Sequence, residues 1–196
     1  VGPEELRADG EPGAPALGLA GDGSVATVVL DGRGLIVAGP RGSGRSTALR
    51  RLFAVLQDAG GPPALSLSGR DPQLSPAELG AQLRDQPGTV CLVDDVDALL
   101  GGPYDDVLAE FATNPRAGSL VLAGTLGTLV SAYRGVVGVL RRSTYGLLLC
   151  PGPRGAELFG IALPDGEPPL PGRGFLVEEH RVRAVQVADQ RAGEPS

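Results

Sequence analysis

At residues 34–47 the sequence reads GLIVAGPRGSGRST, in which an apolar run passes into a glycine-rich turn. The run at 34–38 suits a strand that is buried on both faces. The stretch at 46–57 then has apolar residues at helical spacing, namely Leu49, Leu52, Phe53 and Leu56. This order of strand, glycine-rich loop and amphipathic helix predicts an α/β unit with a ligand loop between its two elements.

The turn is predicted to hold a phosphate group. Glycines let the chain curve closely enough for successive backbone amides to face an anion, and the helix starting near Ser46 adds the positive end of its dipole. The Ser46 hydroxyl stands where such a loop ligates Mg²⁺. We therefore assign nucleotide binding to Gly39, Pro40, Arg41, Gly42, Ser43, Gly44, Arg45, Ser46 and Thr47. The alternative is a glycine-rich turn that only caps a helix.

Arg45 departs from the consensus of this loop, which has lysine at that position. A lysine ammonium is a compact charge, whereas a guanidinium is planar, wider and forked. Arginine can bind phosphate oxygens, but not at the place between the phosphates that the lysine ammonium occupies. We therefore expect ATP binding to be retained and ATP hydrolysis to be weak or absent.

A second apolar run, at 89–93, leads into the paired acids Asp94 and Asp95. In enzymes with a phosphate-binding loop, the first acid holds Mg²⁺ and the second can polarise the attacking water. We assign these catalytic roles to Asp94 and Asp95, and a metal site to Ser46 and Asp94. Asp95 is one methylene shorter than the Glu that is commoner there. The alternative is a solvated strand end.

Three further residues have two open interpretations each. Thr125 follows the predicted strand at 119–123 and is either a sensor that contacts the γ-phosphate or a turn or N-cap residue. Arg141 and Arg142 end a predicted helix at 129–142. They either reach the nucleotide of a neighbouring subunit or complement the C-terminal end of their helix, and we favour the second.

The remaining pattern alternates strands with helices. Strands are predicted at 64–67 and 145–150, and helices after Ser75 and at 103–113. Ser75, Pro76 and Glu78 form a capping-box signal. Hairpins are predicted around 21–23 and between 175–178 and 181–187, the second containing His180 in its turn. The pattern predicts an α/β fold with a mostly parallel sheet, preceded by a lead-in at 1–15 and followed by a tail at 189–196.

Composition excludes several classes of protein. The 196 residues suit one domain, and 42% hydrophobic residues can form a core. All 17 basic residues are Arg, and the net charge of −6 argues against binding to a nucleic-acid backbone. The two cysteines, Cys91 and Cys150, lie in apolar runs and are expected to be buried thiols. No apolar run approaches the roughly 20 residues of a membrane span.

Nearly the whole chain, from Leu17 to about Val187, resembles an FtsK/SpoIIIE-type P-loop ATPase domain, and in particular a C-terminal ATPase domain of the EccC-like motors of type VII secretion. The resemblance rests on LGLAGDG, GLIVAGPRGSGRSTAL, VCLVDDVDALL, YRGVVGVLRRSTYGLLLCPG, PGRGFLV and RVRAVQVA. It implies a RecA-like core and a site for ATP and Mg²⁺. The arginine-only, glycine- and proline-rich composition is typical of a GC-rich source such as an actinobacterium.

The resemblance also implies partners and a location. The domain would be a cytoplasmic part of a membrane-anchored chain, without membrane contact of its own, beside other ATPase domains and in a motor that can form hexamers. Its substrates would be WXG-type secreted proteins or their C-terminal signals. Two alternatives stay open, an FtsK-like translocase of double-stranded DNA and a binding scaffold without nucleotide affinity.

Overall fold

The computed structural model describes residues 14–58, 60–164 and 168–188. The strands are β1 (Ala16–Ala20), β2 (Val25–Thr27), β3 (Leu35–Gly39), β4 (Ala64–Ser68), β5 (Thr89–Asp94), β6 (Gly118–Thr125), β7 (Tyr145–Leu149), β8 (Arg173–Glu178) and β9 (Arg181–Val187). The helices are α1 (Arg45–Asp58), α2 (Pro76–Asp85), α3 (Pro103–Thr113), α4 (Leu126–Ser131), α5 (Gly135–Leu140) and α6 (Gly155–Phe159). Most of the predicted lead-in and all of the predicted tail lie outside the described residues.

One nine-stranded sheet crosses the described residues in the order β2-β1-β9-β8-β7-β3-β6-β5-β4. The strands from β7 to β4 in this order run parallel, and the other neighbours pair antiparallel. The predicted α/β fold with an N-terminal and a C-terminal hairpin is confirmed. Because β1 also pairs with β9, both hairpins belong to one antiparallel extension of the parallel sheet, which the sequence pattern did not predict.

Helices cover both faces of the parallel strands. Side chains alternate along β3, so that Ile36 points to the cluster beneath the helices α2 to α6, and Val37 points to the cluster beneath α1. Both side chains are fully buried. Burial on both faces explains why β3 has an uninterrupted apolar sequence. The arrangement brings the C-terminal ends of β3, β5 and β6 to one edge of the sheet.

The prediction of one helix at 129–142 is wrong, because the structure divides this stretch into α4 and α5. Arg134 is extended and Gly135 has a φ of +60°. The Val136 amide donates a 2.8 Å hydrogen bond to the buried carboxylate of Asp105 on α3. A new helix starts at this point because a tertiary contact caps its first turn.

Smaller sequence predictions have mixed outcomes. The capping box of Ser75 and Glu78 is present, with Pro76 in the first turn of α2. The predicted strand at 145–150 ends one residue early, since Cys150 has a φ of +44°. The short helix α6 lies in a stretch rich in proline and glycine, for which no helix was predicted. Helices in the described part of the chain all fall short of the length and apolar character that a membrane span requires.

Candidate functional site

The predicted phosphate-binding loop follows β3 and leads directly into α1. Gly42 and Gly44 both have positive φ, +79° and +99°. A Cβ at Gly39 would lie 2.4 Å from Oγ of Ser43 and 2.5 Å from the Leu149 carbonyl oxygen. The positive φ at positions 42 and 44 and the close approaches at position 39 explain why glycine stands at three positions of the loop. The structure thus brings residues 39–47 together in the predicted order, at the C-terminal edge of the sheet.

The antiparallel part of the sheet contacts this loop through a backbone hydrogen bond. The Gly172 amide, just before β8, donates a 2.8 Å hydrogen bond to the carbonyl of Ser43. Gly172 accepts a 2.8 Å hydrogen bond from the Val187 amide at the end of β9. The loop is therefore braced by residues more than a hundred positions away in the chain, which its own sequence could not indicate.

The predicted acids lie where β5 ends. Asp95 has a left-handed backbone with a φ of +50°, and its amide donates a 2.9 Å hydrogen bond to Oδ1 of Asp94. The carbonyl of Asp94 accepts a 2.8 Å hydrogen bond from Gly69 at the end of β4. This backbone turn gives the two carboxylates separate surroundings, although they are adjacent in sequence.

Arg45 is directed from the phosphate-binding loop towards the acids. Its Nη2 lies 3.7 Å from Oδ1 of Asp95, and its Nη1 lies 3.9 Å from Oδ2 of Asp97. The Arg45 side chain is only 8% exposed. Both distances exceed a hydrogen bond, and the buried Nη1 has no hydrogen-bond partner among the described residues. Arg45 therefore pairs electrostatically with two acids while a donor remains unsatisfied.

Thr125 contacts Asp97. Its amide donates hydrogen bonds of 3.0 Å to both carboxylate oxygens of Asp97, and its hydroxyl donates a 2.5 Å hydrogen bond to Oδ1. The hydroxyls of Thr125 and Thr128 also share a 2.9 Å hydrogen bond. Thr125 is the N-cap residue of α4 by position, but its side chain makes no cap hydrogen bond. Its role as a nucleotide sensor stays a prediction.

Two charged residues of this site were not predicted as functional. The sequence patterns gave a functional role to neither Asp97 nor Arg70. Arg70 follows β4, and its Nε lies 2.5 Å from Oδ2 of Asp95. The predicted parallel sheet could have indicated Arg70. Because β4 and β5 are parallel neighbours, the residues that follow their C-terminal ends lie side by side.

Arg141 contacts residues of its own chain. Its Nη1 donates hydrogen bonds of 3.0 and 3.3 Å to the carbonyls of Val130 and Ala132, at the end of α4. Its guanidinium also lies 4.7 Å from the centre of the Tyr133 ring. These contacts fit the favoured interpretation, in which the arginine complements a helix C-terminus, although the helix is α4. Arg142 is exposed.

The two cysteines differ in burial. Cys91 is fully buried, as predicted, and burial raises the pKa of its thiol to about 12. Cys150 is only partly buried, so the prediction for it is wrong. Its Sγ lies 3.1 Å from the carbonyl of Leu170, and burial raises its pKa as well. The positive φ of Cys150 turns its side chain away from the strand pattern that had suggested burial.

The loop has the donors that a phosphate requires. The buried Nη1 of Arg45 and the buried Oγ of Ser43 both lack a hydrogen-bond partner among the described residues. A buried donor without an acceptor is costly, and phosphate oxygens accept strongly from guanidinium and hydroxyl groups. For Mg²⁺, the exposed Ser46 and half-buried Asp94 supply suitable oxygen ligands. The residues present therefore fit a nucleotide, and they offer part of a metal site.

The fold of the described residues is similar to that of ATPase domains in solved structures. Among solved structures, the chain is similar to the cytoplasmic domain of the Thermomonospora curvata type VII secretion ATPase EccC (TM-score 0.71, 20% identity, 93% of this chain and 26% of that one). EccC ATPases 2 and 3 with a signal sequence peptide give a TM-score of 0.70 at 20% identity, over 93% of this chain and 41% of that one. EssC ATPases 2 and 3 from Geobacillus thermodenitrificans give a TM-score of 0.73 at 16% identity, over 91% of this chain and 42% of that one.

These similarities establish the fold. The chain spans less than half the length of each of these structures. No protein-family profile and no curated protein sequence matches it.

Proposed function

We propose that this chain is a nucleotide-binding domain of a type VII secretion motor, which binds ATP at residues 39–47 and hydrolyses it weakly or not at all. The observation that carries the proposal is the pair of unsatisfied buried groups on the loop, Nη1 of Arg45 and Oγ of Ser43. Each of these two groups can donate a hydrogen bond but has no acceptor. The phosphate oxygens of ATP, bound on a P-loop, would accept these hydrogen bonds.

The contacts of the Asp95 carboxylate support the proposal that ATP hydrolysis is weak. This residue occupies the position of the water-polarising acid, but its carboxylate is held by Arg70 at 2.5 Å and faces Arg45 at 3.7 Å. Both oxygens of this carboxylate face guanidinium groups, so they are less available to orient an attacking water. The guanidinium of Arg45 also differs in shape from the lysine that usually contacts the phosphates.

A bound Mg²⁺ would supply Lewis-acid stabilisation of the phosphate charge. Ser46 and Asp94 are the residues that we propose as its ligands. Asp94 keeps its side chain in place by accepting the Asp95 amide. Thr125, held by Asp97, is proposed to stand near the terminal phosphate.

The role in secretion is proposed from the structural neighbours. One of them is a pair of EccC ATPase domains in complex with a signal sequence peptide, and another is a pair of EssC ATPase domains. We propose that this domain adjoins other ATPase domains in a cytoplasmic part of a membrane-anchored motor that can form hexamers, and that it serves in recognition of WXG-type substrates or in regulation.

The first test measures ATP binding and phosphate release by the purified chain. We expect calorimetry to detect binding while phosphate release stays near background. Arg45→Ala should abolish binding, because it removes the buried guanidinium whose Nη1 has no hydrogen-bond partner among the described residues. Arg84→Ala is the control, since Arg84 is exposed on α2. Rapid hydrolysis by the wild type, or binding that survives Arg45→Ala, would contradict the proposal.

The second test separates secretion from DNA translocation. Labelled C-terminal signal peptide of a WXG-type protein and a labelled DNA duplex are each titrated with the chain at low salt. We expect anisotropy to rise with the peptide only, because the net charge of −6 repels a phosphate backbone. Retention of the duplex with a steep salt dependence would favour the DNA translocase.

A further inference from the structure

An exposed apolar segment, residues 168–171 with the sequence PPLP, lies beside the phosphate-binding loop. All four of its residues are exposed, and Leu170 has 47% of its surface accessible to solvent. Leu170 and Tyr133 are the exposed large hydrophobic residues in the part of the chain that the structure describes. A row of apolar residues at the edge of a ligand loop is typical of a surface that a ligand covers.

Backbone hydrogen bonds hold this segment against the loop. The Gly172 amide, which follows the segment directly, donates a 2.8 Å hydrogen bond to the carbonyl of Ser43. The carbonyl of Leu170 accepts a 2.9 Å hydrogen bond from the Arg173 amide. Leu170 also stands between two prolines, which restrict its backbone. The leucine is therefore fixed in position before any ligand binds, so that little conformational entropy is lost on binding.

The order of the strands indicates on which side of the loop a nucleoside would lie. The loop follows β3, which lies between β6 and β7. Asp94 and Thr125, proposed to face the metal and the terminal phosphate, are the last residues of β5 and β6 and lie on the β6 side. The nucleoside is at the opposite end of the triphosphate, and we therefore expect it on the β7 side. The segment 168–171 immediately precedes β8, which pairs with β7, so it lies on that side.

We propose that Leu170 packs against the base of a nucleotide bound at residues 39–47, and that this contact distinguishes a nucleotide from an inorganic phosphate chain. The inference rests on the proposed function. The face of a base is largely apolar, so covering it with a leucine removes apolar surface from water. The leucine side chain has no hydrogen-bonding group, so the contact should contribute equally to the binding of adenine and guanine nucleotides.

The test compares ATP with inorganic tripolyphosphate, which has the same number of phosphates and no nucleoside, by calorimetry of the full chain. We expect the wild type to bind ATP more tightly. Because Leu170 is exposed, Leu170→Ser is expected to fold. It should lower the affinity for ATP and for GTP by about five- to tenfold, and leave the affinity for tripolyphosphate within about twofold of the wild type.

Two further variants make the test specific to an apolar contact. Leu170→Met keeps the apolar surface and should bind ATP within about twofold of the wild type. Tyr133→Ser is the matched control, since it removes the other exposed large hydrophobic side chain, just after α4, and should leave both affinities unchanged.

The outcomes separate this inference from the proposed function. If Leu170→Ser weakens ATP and tripolyphosphate equally, the residue shapes the loop and does not contact the base, and the inference is wrong. It is also wrong if Leu170→Ser binds ATP as tightly as the wild type does, or if the wild type binds the two ligands alike; nucleotide binding at residues 39–47 would then still stand. A wild type that binds neither ligand overturns the proposed function and this inference with it.

Discussion

The backbone amide of Gly172 donates a 2.8 Å hydrogen bond to the carbonyl of Ser43, which ties the phosphate-binding loop to the strand pair at the end of the chain. The same region lies against Gly44, where a Cβ would come within 3.0 Å of the Gly172 nitrogen. The shape of the loop thus depends on the antiparallel extension as well as on its own glycines.

Replacing Gly44 with Ala should destabilise the fold more than replacing Gly42. Both residues have positive φ, so both changes cost about 1 kcal/mol in backbone strain. A Cβ at Gly42 meets no atom within 4 Å, whereas one at Gly44 meets the Gly172 backbone. We expect Gly44→Ala to lower the free energy of unfolding by roughly 2–3 kcal/mol in urea titrations. Equal losses for the two variants would show that the contact with Gly172 does not matter.

Asp105→Ala should be strongly destabilising. The buried carboxylate accepts the amides of Gly101 and Val136, at 2.9 and 2.8 Å, and the alanine variant leaves both donors unsatisfied. We expect a loss of roughly 2–4 kcal/mol by urea unfolding, and a smaller loss for Asp105→Asn. Asp106→Ala is the control on the next, exposed position of α3. A similar effect at both positions would argue against a specific role for Asp105.

A thiol reagent should label one cysteine in the folded chain and two in the unfolded chain. Cys91 is fully buried, and burial raises the pKa of its thiol to about 12. The reagent therefore cannot reach this thiol, and at neutral pH the thiol does not form the reactive thiolate. Cys150 is partly exposed and should react slowly. Mass spectrometry after labelling measures both counts. In Cys150→Ala, the native protein should take up no label, and label on Cys91 would contradict its burial.

Stability should fall as the pH rises from about 9 to 12. Burial raises the pKa of Tyr145 from 10.0 to about 12, and that of Cys91 from 9.0 to about 12. Both groups are neutral when protonated, and the unfolded chain loses these protons at lower pH than the folded chain. Their stabilising contribution is therefore complete below the unfolded pKa and disappears towards pH 12. The chain has no lysine whose titration would add to this change.

Urea unfolding at several pH values checks this expectation. Tyr145→Phe should show a lower stability at neutral pH, because the Val29 amide loses its 2.6 Å hydrogen bond to the phenol oxygen, and a shallower decline above pH 10. A decline as steep as that of the wild type would assign the pH dependence to other groups.

The parts of the fold that follow from local pattern could be predicted. The apolar run of β3, the glycines at 39, 42 and 44 and the capping box at Ser75 each reflect a backbone preference that a short segment expresses by itself. The break between α4 and α5 could not be predicted, because the Asp105 carboxylate that causes it lies on another helix.

The sequence by itself determined the strand, the loop and the helix of the P-loop unit, as well as the presence of arginine where lysine is usual, because spacing and residue type are local properties. Only the tertiary structure decided that Arg45 faces Asp95 and Asp97, that Arg70 shares Asp95, and that Gly172 braces Ser43. The arginine contacts join segments that meet only when parallel strands align their C-terminal ends, and a side chain of arginine's length can reach several partners until packing selects among them. The contact between Gly172 and Ser43 requires the antiparallel extension, which pairs strands from the two ends of the chain.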